Sequence, residues 1–128
     1  MIALMLACAS IPDTAPDVLY DKTACTHCGM LVSDPNFAAQ LVTTEGDVRV
    51  YDDPACLFRD MLDSHPSVAR MWFRDSTTRD EHWMSWTETA FVPATGAPMD
   101  GGWAAVPIGT GGAVTFGEAS AKVAGGAK

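Results

Sequence analysis

The stretch Phe37-Ala38-Ala39-Gln40-Leu41-Val42-Thr43-Thr44-Glu45-Gly46-Asp47-Val48-Arg49-Val50-Tyr51-Asp52-Asp53-Pro54-Ala55-Cys56-Leu57-Phe58 encodes a strand, a turn, a second strand and the start of a helix. Phe37, Ala39 and Leu41 alternate with smaller or polar residues, which predicts a strand with one buried face, and Val48 to Tyr51 alternate again. Glu45-Gly46 between them is a tight-turn signal, so the two strands form a hairpin. Asp53 can cap a helix, and Pro54 suits its first position because the missing N–H would be unpaired there anyway. Leu57, Phe58, Met61 and Leu62 then form an apolar stripe that lies on the hairpin, and Ser64-His65-Pro66 ends the helix.

Downstream, the same order of parts recurs. Ala69 to Arg74 reads as a strand, Asp75 to Glu81 as a polar loop, and His82-Trp83-Met84 as a further ordered run. Ser85-Trp86-Thr87-Glu88 fits the capping box of a short helix running to Ala90. Ala104 to Ile108 and Ala113 to Phe116 are candidate closing strands around Gly109 to Gly112. The expected fold class is α+β, with two small ββα-type units, about 21–66 and 67–117, packed against each other within one domain, 21–117. Hairpins of this size are marginal alone, so the units are expected to share or abut their cores. Residues 118–128, Ala/Gly-rich and without apolar periodicity, read as a flexible tail.

Upstream, Met5-Leu6-Ala7-Cys8 has the form of a lipobox, with residues 1–7 as the remnant of a signal segment. Lipidation of Cys8 would hold the chain at a membrane surface, and residues 8–20, with two prolines and two acids among few apolar groups, read as the tether. The expected location is then periplasmic and lipid-anchored.

Composition narrows the function. Among 128 residues, eight Lys and Arg stand against 16 Asp and Glu, a net charge of −8. Neutralising phosphates needs a basic face, so a nucleic-acid partner is excluded. Four cysteines, seven methionines and three histidines supply soft ligands. They concentrate in Cys25-Thr26-His27-Cys28-Gly29-Met30. A C-x-x-C pair brings two thiolates to one ion, and a thioether beside them favours Cu(I) over harder cations. Zinc takes thiolates readily but wants four N or S donors in a closed site, and a second C-x-x-C is missing. A thioredoxin-type dithiol needs a buried strand before the pair and a long helix after it. Here Ser33-Asp34-Pro35 blocks that helix. Copper leads, with zinc, a redox dithiol and a disulfide as alternatives.

The combination of Cys25-x-x-Cys28-Gly29-Met30, Asp34-Pro35-x-Phe37-Ala38-Ala39-Gln40 and Tyr51-Asp52-Asp53-x-x-Cys56-Leu57 resembles the NosL family. Trp83-Met84, Ala90-Phe91-Val92 and Ala97-Pro98-Met99, followed by Ala104-Ala105, continue the likeness, which runs from about Cys25 to Ala105. The family departs from this chain after the Pro-Met step, where Asp100 replaces an expected glycine and the second unit looks shortened.

The resemblance implies two ββα units, distant kinship with organomercury lyases, and a lipid-anchored, periplasmic Cu(I) metallochaperone that is not an enzyme. It would deliver copper to a receiving enzyme such as nitrous oxide reductase, or to a copper transporter or assembly complex. Cys28 and Met30 match the family's copper motif; Cys25 is the expected second thiolate, and Met99 a thioether from the other unit. Cys56 and His27 complete the candidate ligands, against readings of Met99 and Cys56 as core fillers and of His27 as solvent-facing. Asp52 and Asp53 read as helix-capping acids. The alternatives are a thiol–disulfide or organomercury lyase-like enzyme, and a module stapled by structural zinc or a disulfide.

Overall fold

A computed structural model of the chain describes residues 11–94 and 102–125. The hairpin forms as expected from β1 (Ala39–Thr43) and β2 (Val48–Tyr51), paired antiparallel with Ala39 opposite Tyr51 and Val42 opposite Val48. Gly46 takes φ 91° in the turn, where its N–H donates to the Thr43 carbonyl at 2.9 Å. Helix α1 (Pro54–Ser64) follows. Asp53 is its N-cap, accepting the Cys56 N–H at 2.9 Å. At the other end His65 adopts a left-handed conformation, and its N–H closes the helix on the Met61 carbonyl. Leu57 and Phe58 are buried, and each removes enough apolar surface from water to contribute about 1.5–3 kcal/mol. Leu62, expected on the same stripe, is exposed instead, because Asp60 rather than Leu62 turns into the protein.

The second half begins with β3 (Val68–Arg74) and β4 (Trp83–Ser85). Both join the first hairpin, giving a four-stranded antiparallel sheet of order β2-β1-β3-β4. The two expected units therefore share a sheet as well as a core. β2 and β3 pair with both edges of β1, and β1 is buried on both faces rather than one, so that even Gln40 is inaccessible, its Nε2 donating to the Pro16 carbonyl. A 3-10 turn at Trp86–Glu88, capped by Ser85, replaces the short helix expected to reach Ala90. The chain extends again at Thr89 because β5 (Thr89–Pro93) pairs with β6 (Trp103–Pro107) in a separate two-stranded sheet. Of the expected closing strand at 113–116, one bridge forms, between Phe91 and Val114.

Helix α2 (Phe116–Gly125) occupies most of the region read as a loose tail. Thr115 Oγ1 accepts the Glu118 N–H at 3.1 Å at its start, Ala119 is buried, and Phe116 packs on the core. Phe116 meets Phe58 edge-on at 5.2 Å, while Phe91 stands edge-on to Phe58 at 5.3 Å and to Phe73 at 4.9 Å. These rings join α1, β3, β5 and α2 into one core. The described part of the expected tether also departs from that reading. Gln40 Nε2 donates to the Pro16 carbonyl at 2.8 Å and Val18 is buried, so the segment lies on the sheet before it reaches the site.

Candidate metal centre

Two pieces of local structure build the centre. The first is a hairpin-like turn around Cys25 to Met30. The Cys25 N–H donates to the Met30 carbonyl at 2.7 Å, the Gly29 N–H returns to the Cys25 carbonyl at 3.0 Å, and Ala24 bridges Leu31. Gly29 sits at φ 77°, a conformation costly for residues with a Cβ, and so lets the chain reverse immediately after Cys28. The Thr26 N–H ties this turn to the Val50 carbonyl on β2 at 2.8 Å. The second piece is the first turn of α1, which Asp53 and Pro54 start at the point that carries Cys56 inward.

The sulfurs of Cys25, Cys28 and Cys56 all lie within 4.8 Å of one another. Cys25 and Cys56 are buried, and Cys28 is partly open to solvent. With metal–thiolate bonds of about 2.3 Å, three sulfurs around one ion stand about 4 Å apart, so closure takes less than about 1 Å of side-chain adjustment. No disulfide ties them. The residues present therefore fit a soft metal ion with three thiolate donors.

Their protons are unequally held. Cys25 is lowered to about 4, first because the Cys56 thiol donates to it, against the opposing effect of burial. The backbone N–H of Cys28, whose nitrogen is 3.5 Å from Cys25 Sγ, and backbone groups at Asp52 and His27 add to this. Cys56 is pushed up by the same hydrogen bond, then by burial and the charge of Asp53. Burial also raises Cys28. The cluster thus rests with one thiolate on Cys25 and two thiols, so a metal taken up by all three sulfurs displaces protons.

The remaining expected donors divide. Met30 lies next to the turn with its side chain exposed, while its carbonyl serves the Cys25 N–H. His27 does not join the sulfur cluster; its Nδ1 faces the Asp63 carboxylate at 3.8 Å. Met99 and Cys8 lie outside the described residues.

Asp52 carries more than the capping role expected of it. The cap is Asp53, and Asp52 is buried close enough to Cys25 to feel its charge. Its carboxyl is raised to about 6, first by burial and then by Cys25 and Asp53, with the Ser33 backbone acting the other way. The signal was present in the doublet: one acid caps a helix, so the second needed another explanation.

The sulfur cluster lies on a known scaffold. The crystal structure of the copper chaperone NosL from Shewanella denitrificans matches with a TM-score of 0.59 over 90% of this chain and 89% of that one, at 17% identity. The fold is that of NosL. No family model matches the sequence, and no curated protein matches it. At this identity the likeness to NosL is one of architecture, and the NosL-like frame of this chain is what brings the turn at Cys25–Met30 against the start of α1.

Proposed function

We propose that this chain is a metallochaperone: Cys25, Cys28 and Cys56 hold one Cu(I) ion as cargo and pass it to a copper-receiving protein. The convergence of the three sulfurs within 4.8 Å, from a turn and a helix, carries this reading. The chaperone role of the structurally similar NosL supports it. Three-coordinate sulfur suits Cu(I), whereas a closed zinc site wants a fourth N or S donor. Among the described residues, no histidine or carboxylate joins the three sulfurs. Met30 at the exposed rim offers a thioether during exchange, and the partly open Cys28 is the thiolate an incoming ligand displaces first.

In this reading the protein is a carrier and not an enzyme. Its client is a copper enzyme such as nitrous oxide reductase, or a transporter or assembly complex that serves one. A lipid on Cys8 holds it at a periplasmic membrane surface. Among the described residues no helix is long and apolar enough to cross a membrane.

The test is a titration of the reduced protein with Cu(I) against a chromophoric competitor, with elemental analysis of the protein as purified. One equivalent of tightly held copper, lost in a Cys25→Ser/Cys28→Ser/Cys56→Ser variant, is the expected result. Zinc at full occupancy that copper does not displace, or equal copper affinity in the variant, would overturn the reading.

A further inference from the structure

The segment that carries Cys25 and Cys28 also turns large apolar side chains into water. Leu19 is 65% exposed, Met30 55% and Leu31 50%. Among the described residues seven large apolar side chains are exposed, so nearly half of them fall on this one short stretch. They are held together by backbone bonds. The Thr23 N–H donates to the Leu19 carbonyl at 3.0 Å, the Val32 N–H to the Thr23 carbonyl at 2.8 Å, and Ala24 bridges Leu31. Apolar side chains this exposed among the described residues, on a backbone tied together by hydrogen bonds, mark a contact surface.

Its rim is acidic. Between residues 17 and 34, Asp17, Asp21 and Asp34 oppose a single Lys22, and across the turn Asp63, 71% exposed, faces His27. A second copy of this chain would bring the same acids, and a net charge of −8, against themselves. An anionic lipid surface meets the same repulsion. A protein with an apolar contact centre and a basic border has the complementary charge.

We propose that Leu19, Met30 and Leu31 form the docking face for the copper acceptor, and that the acceptor presents an apolar patch ringed by Lys or Arg. The acceptor's class rests on the copper-carrier reading; the face itself is defined by its exposed side chains and charges. Docking there would place the partner's soft donors over Cys28 and cover the sulfurs during exchange, so that copper passes without entering water.

Two fluorescent synthetic peptides with the same Leu/Met centre, one flanked by lysines and one by glutamates, test this by anisotropy on the reduced, metal-free protein. Copper loading is measured in parallel on the same preparations. At low salt the lysine-flanked peptide binds roughly tenfold more tightly or better, and the gap closes near 0.5 M salt. Leu31→Asp weakens that binding at least about fivefold, whereas Ile108→Asp, on an exposed residue following β6, changes it less than about twofold. Asp17→Asn/Asp21→Asn narrows the peptide preference; asparagine is chosen because Asp21 sits at φ 62°, which Asn tolerates. Equal affinity for the two peptides overturns the proposal, as does an equal effect of Leu31→Asp and Ile108→Asp. Leu31-dependent self-association, or Leu31-dependent binding to anionic vesicles, in place of a peptide preference also overturns it. Peptide preference without copper loading removes the carrier reading and leaves the face standing; copper loading without preference does the reverse.

Discussion

The two ends of helix α1 both carry buried polar groups, and they handle them in opposite ways. Near the C-terminal end, Asp60 Oδ2 accepts from Arg49 Nη1 at 2.8 Å and from the Tyr51 hydroxyl at 2.5 Å. Oδ1 accepts from Ser64 Oγ at 3.2 Å. Burial works to raise Asp60, but these donors win and hold it below the ordinary carboxylate range. At the N-terminal end, Asp52 is raised to about 6 and three sulfurs share one thiolate among themselves. One end has its positive charge built into the chain through Arg49. The other gathers three sulfurs and the Asp52 carboxyl, and the strongest bond within it runs between two of the sulfurs themselves. A buried acid with its cation in place serves stability, whereas buried sulfurs that bond chiefly to one another are suited to binding a metal.

The largest effect that should separate the two ends is Cys56→Ser. Losing even an outer-sphere partner of a metal ligand costs about 10–100-fold in affinity, so losing this ligand should weaken Cu(I) binding at least about 100-fold. Urea unfolding of the metal-free protein should change little by comparison; a large loss of stability with copper affinity intact would erase the distinction. Asp60→Asn should do the opposite. Breaking a buried pair costs about 3–5 kcal/mol, but Arg49 keeps 27% of its side-chain exposure, so about 2 kcal/mol is expected in urea, with copper affinity within about threefold. Because folded Asp60 is lowered, the folded state binds fewer protons than the unfolded one. Its stabilisation is present above about pH 4 and is lost as pH falls through the lowered value, so the variant should have a shallower acid limb.

Asp53→Ala removes the cap on the Cys56 N–H and should cost about 1 kcal/mol, measured by the same unfolding curves. Asp52→Asn should carry the reverse sign. Folded Asp52 holds its proton to about pH 6, above the unfolded value, so its contribution is favourable in acid and is lost as pH rises through about 6. The variant should therefore gain stability at pH 7 relative to the parent and flatten the pH dependence between about 4 and 6. At the small end, His27→Ala should leave Cu(I) affinity within about twofold, since the imidazole faces Asp63. A loss of tenfold or more would place His27 in the ligand set.

Legibility in the sequence followed the strength of local signals. The hairpin and α1 were readable because Glu45-Gly46 and Asp53-Pro54 each have a steric or hydrogen-bonding reason to sit where they do. Helix α2 was not, because its alanines and glycines lack periodicity and its burial rests on few groups, Phe116 and Ala119 among them. The Thr115-x-x-Glu118 pattern was its one local mark. The shared sheet was also hidden, since the antiparallel pairing of β1 with β3 joins residues about thirty positions apart and leaves no local trace. In the centre, the three cysteines were named from spacing and resemblance, but their convergence on one point depends on the Thr26–Val50 bond and on where α1 begins. The outward turn of His27 and the burial of Asp52 are consequences of that packing.

The cysteines sit on both sides of a joint: Cys25 and Cys28 on a turn held to β2 by Thr26, Cys56 on the helix that leaves β2. An ion shared among them would act as a removable rivet, closing the covalent path from the turn through the hairpin to the helix. Under the proposed carrier role the loaded chain would be the stiffer one, resisting amide exchange and protease attack around residues 21–32, and release of the ion would slacken it.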